Sequence, residues 1–409
     1  MASPAPPDDE LPMRHRFDAF FSYGFRPFFL GAGLYGVVGM AAWITWIGLH
    51  AAGGEVKGMD GGFPPYLWHA HEMLFGYVGA AVAGFLLTAT PGWSGRKPVS
   101  GAPLAALFAA WLAGRVAVWL AAFLPAALVA IVDLAFWVFL FAVVLRTLAG
   151  GKARNFVFLA LLALLVTADV MVHLERLGLA AGTAAAGHRL ALDSVVLLIA
   201  IVGGRVVPAF TRNALRAETG EADPILALPR LDAAGIGAVA ALLVADQATP
   251  GAAAAGWLAL FAAAANGARL VRWRGWQVLD QPILWIVHLG FAWMVTGLGL
   301  KAWALLGGGM IEATALHALT VGAIGSMTLG IMTRAGLGHT GRPLKVAPEI
   351  AAAYLLLSLA ALIRVVGPFA LPQFYNAVLL AAGVGWCVVF VIYSWVYWPI
   401  LTRPRLGGG

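Results

Sequence analysis

Between about residue 27 and residue 400 the chain alternates long apolar runs with short polar breaks carrying Gly, Pro or Arg. Apolar runs near the roughly 20 residues that an α-helix needs to cross a bilayer read as membrane spans. Twelve such runs stand out, at about 27–49, 66–90, 102–121, 124–146, 155–176, 186–208, 231–248, 252–271, 281–305, 312–334, 348–370 and 376–400. The pattern predicts an all-α membrane protein of about twelve transmembrane helices. A single membrane domain covers 27–400, between an N-terminal tail over 1–26 and a C-terminal tail over 401–409.

Charge supports the count independently. Alternate breaks carry Arg14/Arg16, Arg96/Lys97, Arg146/Lys152/Arg154, Arg212/Arg216/Arg230, Arg269/Arg272/Arg274, Arg334/Arg342/Lys345 and Arg403/Arg405, whereas the others hold only Lys57, Arg176 and Lys301 near span ends. The positive-inside rule then places both termini, and hence both tails, in the cytoplasm of a multi-pass protein. Composition agrees: 61% of residues are hydrophobic and 11% charged, against roughly 25% charged in a soluble domain. The net charge of +7 therefore reflects cytoplasmic loops in a lipid bilayer and not nucleic-acid binding. Met1–Arg26 lacks the apolar core of a secretory signal. The single cysteine, Cys387, excludes a disulfide framework and a thiolate cluster, so a metal would be held by imidazole, carboxylate or thioether.

Polar groups inside a membrane are costly and mark function. YLWHAHEMLFG (Tyr66–Gly76) puts His69, His71 and Glu72 at the start of span two. With the topology above, His50, His69, His71, His173, His188 and His317 lie at one depth on the outer side. His288 lies in the inner part of span nine, His339 in a cytoplasmic loop and His15 in the N-terminal tail. Six of nine histidines at one depth point to a haem or metal centre near the outer face. A lone membrane histidine is also a common helix–helix hydrogen-bond partner, the plainer reading for His50, His188 and His288. His69 and His71 sit about 200° apart on a regular helix, so either they serve two centres or Pro64–Pro65 delays the helix and lets both converge. In span five Asp169 and His173 are i,i+4 neighbours, placing Asp169 to orient the imidazole.

Two imidazoles from facing helices suit haem iron, and the expectation is that His71 and His317 are the axial pair. His69, His173 and His188 are then candidates for copper or a second haem, with His288 a further cofactor-binding candidate. Arg115 is expected to pair with Asp133 on the next span, flanked by Trp111 and Trp119, and Arg189 with Asp193. Arg364 has no local carboxylate, which suits a haem propionate or snorkelling to headgroups. The Ala-rich spans seven and eight read as scaffold or a dimer surface. On the inner side TPGWSGR, GGRVVPAFTRN and TRAGLGHTGRP read as turns after span ends.

These stretches, with SYGFRPFFL (Ser22–Leu30), LWHAHEMLFG (Leu67–Gly76) and HALTVGAIGSMTLGIMTRAGLGHTGRPL (His317–Leu344), resemble the NnrS family of bacterial membrane proteins. The resemblance implies a haem- and copper-containing protein of the bacterial inner (cytoplasmic) membrane. It implies a role in nitric oxide metabolism or protection against nitrosative stress, associated with denitrification, with haem of b type, nitric oxide as the small ligand and an electron donor as a possible partner. His69, His71, His317 and His339 match its motifs. A fainter likeness to the haem–copper oxidases, whose haem ligands come from spans two and ten, is at the level of helix arrangement. Two other classes stay open: a membrane nitric oxide reductase-like oxidoreductase, and a twelve-span secondary transporter without bound cofactor.

Overall fold

The computed structural model describes residues 13–54, 63–152, 155–220 and 225–407. Lys57, Arg154 and the side chains of Arg14, His15 and Arg16, used above, lie outside the described residues. Among those residues every regular element is helical and no strand occurs. Twelve helices are long and apolar enough to cross a membrane: Phe25–Ala51, Pro65–Ser94, Ala102–Trp119, Ala126–Leu148, Val157–Arg176, Thr183–Glu218, Pro229–Ala248, Ala253–Arg272, Pro282–Leu305, Glu312–His339, Pro348–Ala370 and Pro372–Thr402. They are numbered here as spans one to twelve.

Most limits match the apolar runs closely, and the exceptions share a cause. Span two continues through Pro91 and ends where Gly95 adopts a left-handed φ of +73°. Span six runs through Pro208 into the expected cytoplasmic loop and ends at Gly220, φ +70°. Proline removes one ladder hydrogen bond and bends a helix, but stopping it at a defined residue takes a left-handed cap. GGRVVPAFTRN is therefore helical. Span ten likewise extends to His339, which ends a helix instead of sitting in a loop. Within the N-terminal tail Met13–Phe20 forms a short helix.

Burial separates a centre from a rim. About 78% of the most apolar window of spans two and six is buried, 67% of span ten and 61% of span nine, against 33–39% for spans three, four, seven, eight and eleven. Outward positions are apolar too: Ile131, Phe139, Leu355, Phe261 and Trp395 are all exposed. A water-soluble protein does not present such a belt, and a lipid-facing one does. Spans one and twelve pack together, as do five with six, eight with nine and eleven with twelve.

Two central helices depart from α geometry at corresponding places. Span two becomes a π-helix over Glu72–Val78, immediately after His71. Span ten does the same over Ala318–Ile324, immediately after His317. π segments are rare and concentrate at functional sites.

Candidate metal centre

The first π segment opens into a buried polar cluster built from four consecutive spans. Span two supplies His71 and Glu72, span three Arg115, span four Asp133, and span five Asp169 and His173. All six are at most 2% exposed. Close packing makes this possible. A Cβ at Gly114 would lie 2.7 Å from Asp133 Oδ1, and one at Gly187 would meet the Ala168 carbonyl. Glycine at these positions lets span three reach span four, and span six reach span five, at the depth of the cluster.

The contacts form a continuous network. His71 Nδ1 lies 2.9 Å from Glu72 Oε1, and Arg115 Nη1 donates to the same oxygen at 2.7 Å. Arg115 Nη2 pairs with Asp133 Oδ1. On its other edge His71 Nε2 lies 3.0 Å from Asp169 Oδ1 and 3.2 Å from Asp133 Oδ2. His173 Nε2 faces the same oxygens, 3.1 Å from Asp133 and 3.7 Å from Asp169. One ligand atom from each of His71, Asp133, Asp169 and His173 thus falls within 4.8 Å of the others. Phe63 and Phe75 flank the His71 ring at 5.4 and 4.9 Å.

Two features of this cluster bear on metal binding. Three carboxylates face one guanidinium, so two negative charges need compensation in a low-dielectric interior, by a divalent cation or by protons on both imidazoles. In addition Glu72 Oε2, Asp169 Oδ2 and His173 Nδ1 are buried without hydrogen-bond partners. Orphaned polar atoms are uncommon in a native interior and call for an explanation.

A second group lies around the other π segment. Arg364 acts electrostatically on both His69 and His317, and the two imidazoles are within electrostatic reach of each other. His317 Nδ1 donates to the Ala313 carbonyl at 2.6 Å, leaving Nε2 as the lone-pair nitrogen, the form that binds metal. His69 Nδ1 and Arg364 Nη1 are buried without partners. His69 stacks on Trp43 (4.6 Å between centroids), Trp43 on Trp46 (5.3 Å) and Trp46 on His50 (5.1 Å).

The structure therefore sorts the sequence candidates differently from the expected pairing. His71 stands with His173, Arg115 and two aspartates, and His317 with His69 and Arg364. His188 is at the edge of the first group, 6.3 Å from the His71 ring, with neither ring nitrogen hydrogen-bonded. His288 stands apart, bonded to Thr211 Oγ1 at 2.7 Å. His339 is exposed and stacks near Tyr23. The expected Arg115–Asp133 pair is present, and the flanking residues Trp111 and Trp119 have hydrogen-bond partners of their own. Their indoles donate to the Gly76 carbonyl and to Tyr35 Oη.

Some residues carry more than their sequence position announced. Asp133 and Asp169 face both imidazoles, and their signal was present as carboxylates at equal depth in neighbouring spans. Lys301, at the end of an apolar run, is buried at 2% exposure and bonds Asp246 of the Ala-rich span seven at 2.5 Å. Asp193 lies in the field of that lysine, and Asp193 Oδ2 and Arg189 Nε have no hydrogen-bond partner. The π segments share a spacing, His71-x4-Gly76-x2-Gly79 and His317-x4-Gly322-x2-Gly325, visible once the two are laid side by side.

The profile of the family described as NnrS protein matches residues 19–405 of the 409. No curated protein matches the chain.

Proposed function

The chain belongs to the NnrS family, a membrane protein linked to the nitric oxide response, and from that premise we propose that it binds copper and haem at two separate histidine sites. The observation that carries this reading is the convergence of His71, Asp133, Asp169 and His173. Two nitrogens and two oxygens would suit Cu(II). Glu72 takes the outer hydrogen bond of His71 that fixes the ring and its tautomer, as partners of metal-bound histidines do. Arg115 holds Glu72 and Asp133 in place from behind.

Haem fits the second group better than the first. His317 has its Nε2 lone pair free and His69 has a buried, unpartnered nitrogen. Arg364 offers an unpaired guanidinium nitrogen for a propionate. His69 and His317, in place of the expected pairing of His71 with His317, would hold the haem, with His188 beside the copper site. When bound, these groups would supply one-electron chemistry and affinity for nitric oxide. The residues' own part is to hold that chemistry in a water-poor setting between Phe63, Phe75 and the tryptophan stack. The positive-inside pattern supports placing both sites toward the outer face of a bacterial inner membrane. An external electron donor completes the reading, and protection against nitrosative stress is the role it supports.

The test is metal and haem content of purified protein. Wild type is expected to carry copper and a Soret band. His173→Ala is expected to lose copper and keep haem, and His317→Ala the reverse. A colourless, metal-free protein would sink the proposal. Loss of both groups in each variant would sink the separation into two sites.

A further inference from the structure

Span one carries Trp43, Trp46 and His50 at i, i+3 and i+7, which is one face of a helix. Their rings stack in order, with 8° between the planes of Trp43 and Trp46 and 7° between those of Trp46 and His50. The pile then crosses to span two, where the His69 ring lies 12° from the plane of Trp43. Exposure rises along it: Nδ1 of His69 is buried, both tryptophans are half-buried, and His50 in the last turn of span one is exposed.

Aromatic pairs take offset-stacked or edge-to-face arrangements at such distances. Other tryptophans of this chain meet their neighbours edge-on, Trp68 on Trp119 at 81° and Tyr77 on Trp386 at 77°. The indoles of Trp111, Trp119, Trp293 and Trp386 donate hydrogen bonds within the protein. Those of Trp43 and Trp46 have no such partner among the described residues, so the stack itself is what orients them. An interfacial belt of tryptophans accounts for indoles near the end of span one, but not for their alignment with an imidazole of another helix.

We infer that this four-ring stack carries single electrons between the His69 site and the outer surface, with His50 as the contact point for a one-electron carrier protein in the aqueous phase. Overlapping π faces couple donor and acceptor better than saturated side chains over the same span. One electron leaves the metal centre of the carrier and one reaches the iron proposed at His69; no bond forms or breaks and no proton moves. The acceptor rests on the haem reading above, whereas conduction along the stack does not.

The test uses the full chain in detergent, with Cys387→Ser and Ala51→Cys leaving one thiol beside His50 for a ruthenium photosensitiser. A flash with an external quencher oxidises the label, which is expected to draw an electron from the stack and leave a tryptophan radical, read by absorbance and electron paramagnetic resonance. Trp46→Leu keeps Trp43 but breaks the stack, and is expected to lose the radical. Trp68→Phe, outside the stack, is expected to keep it. Flash-driven electron exchange with haem is expected to lose its fast phase in Trp46→Leu while the Soret band stays unchanged. No radical in the wild type, or one undiminished in Trp46→Leu, would overturn the inference. A radical in a wild type without a Soret band would remove the haem reading and leave conduction along the stack standing.

Discussion

His71 and His317 occupy the same place in their helices, and their surroundings differ in nearly every other respect. Each is the last residue before a π segment, with glycines five and eight positions on. His71 then meets Glu72, Asp133 and Asp169, in a closed cluster with excess negative charge. His317 meets a backbone carbonyl, a second imidazole's field and an arginine. The local device places an imidazole at a chosen depth. What crosses from the neighbouring spans decides which chemistry that imidazole serves: carboxylates make a hard-cation or Cu(II) environment, and an arginine beside aromatic rings makes an anionic-cofactor environment.

The largest expected effects separate the two sites outright. Asp169→Ala is expected to reduce bound copper to background while leaving the haem spectrum unchanged, and elemental analysis beside absorbance checks both. If haem is lost in step, the contrast between the sites is gone. Next come the buried charges. Asp133→Ala leaves Arg115 paired with Glu72 alone and removes a partner of both imidazoles, and is expected to lower stability by about 1–3 kcal/mol, read as a shift in detergent thermal unfolding. Lys301→Met should cost a similar amount by stranding Asp246, but with metal content intact, since that pair lies in neither site. The double variant Lys301→Met/Asp246→Leu should recover only part of the loss, because it replaces the buried pair by apolar groups but leaves Asp193 and Glu312, which also face Lys301, without their cation. A double variant no better than the single would show that Lys301 does more than neutralise Asp246.

Smaller effects probe the outer partners. Glu72→Gln keeps a hydrogen-bond acceptor for His71 but removes charge, and is expected to weaken copper binding about 10–100-fold in competition with a chelator. An unchanged affinity would mean that Glu72 only packs. Arg364→Met removes one charge-assisted contact, about 1.5–3 kcal/mol, and should loosen haem without touching copper.

How much of this was legible depends on the range of the forces involved. The apolar runs located all twelve helices within a few residues, except at Pro91, Pro208 and His339, where turn-like composition concealed a continuing helix. Arg115 with Asp133 was legible because consecutive spans are neighbours. Arg189 and Asp193, expected to pair from i,i+4 spacing, make no close ion pair; Asp193 lies in the field of both Arg189 and Lys301, the latter more than 100 residues away in the chain. Span seven, read with span eight as scaffold or a dimer surface, supplies Asp246 to a buried pair with Lys301.

By itself the sequence determined which segments are helical. Helix formation in an apolar phase depends on local hydropathy and length, because every backbone group must be satisfied within the segment. Tertiary structure decided company. His71 and Asp169 are 98 residues apart, and the angle at which two helices present their faces is set by packing, glycine contacts and the π segments. None of these is a property of any one segment. His69 and His71, two residues apart in one helix, came to face different neighbours for that reason, Trp43 for one and Asp169 for the other.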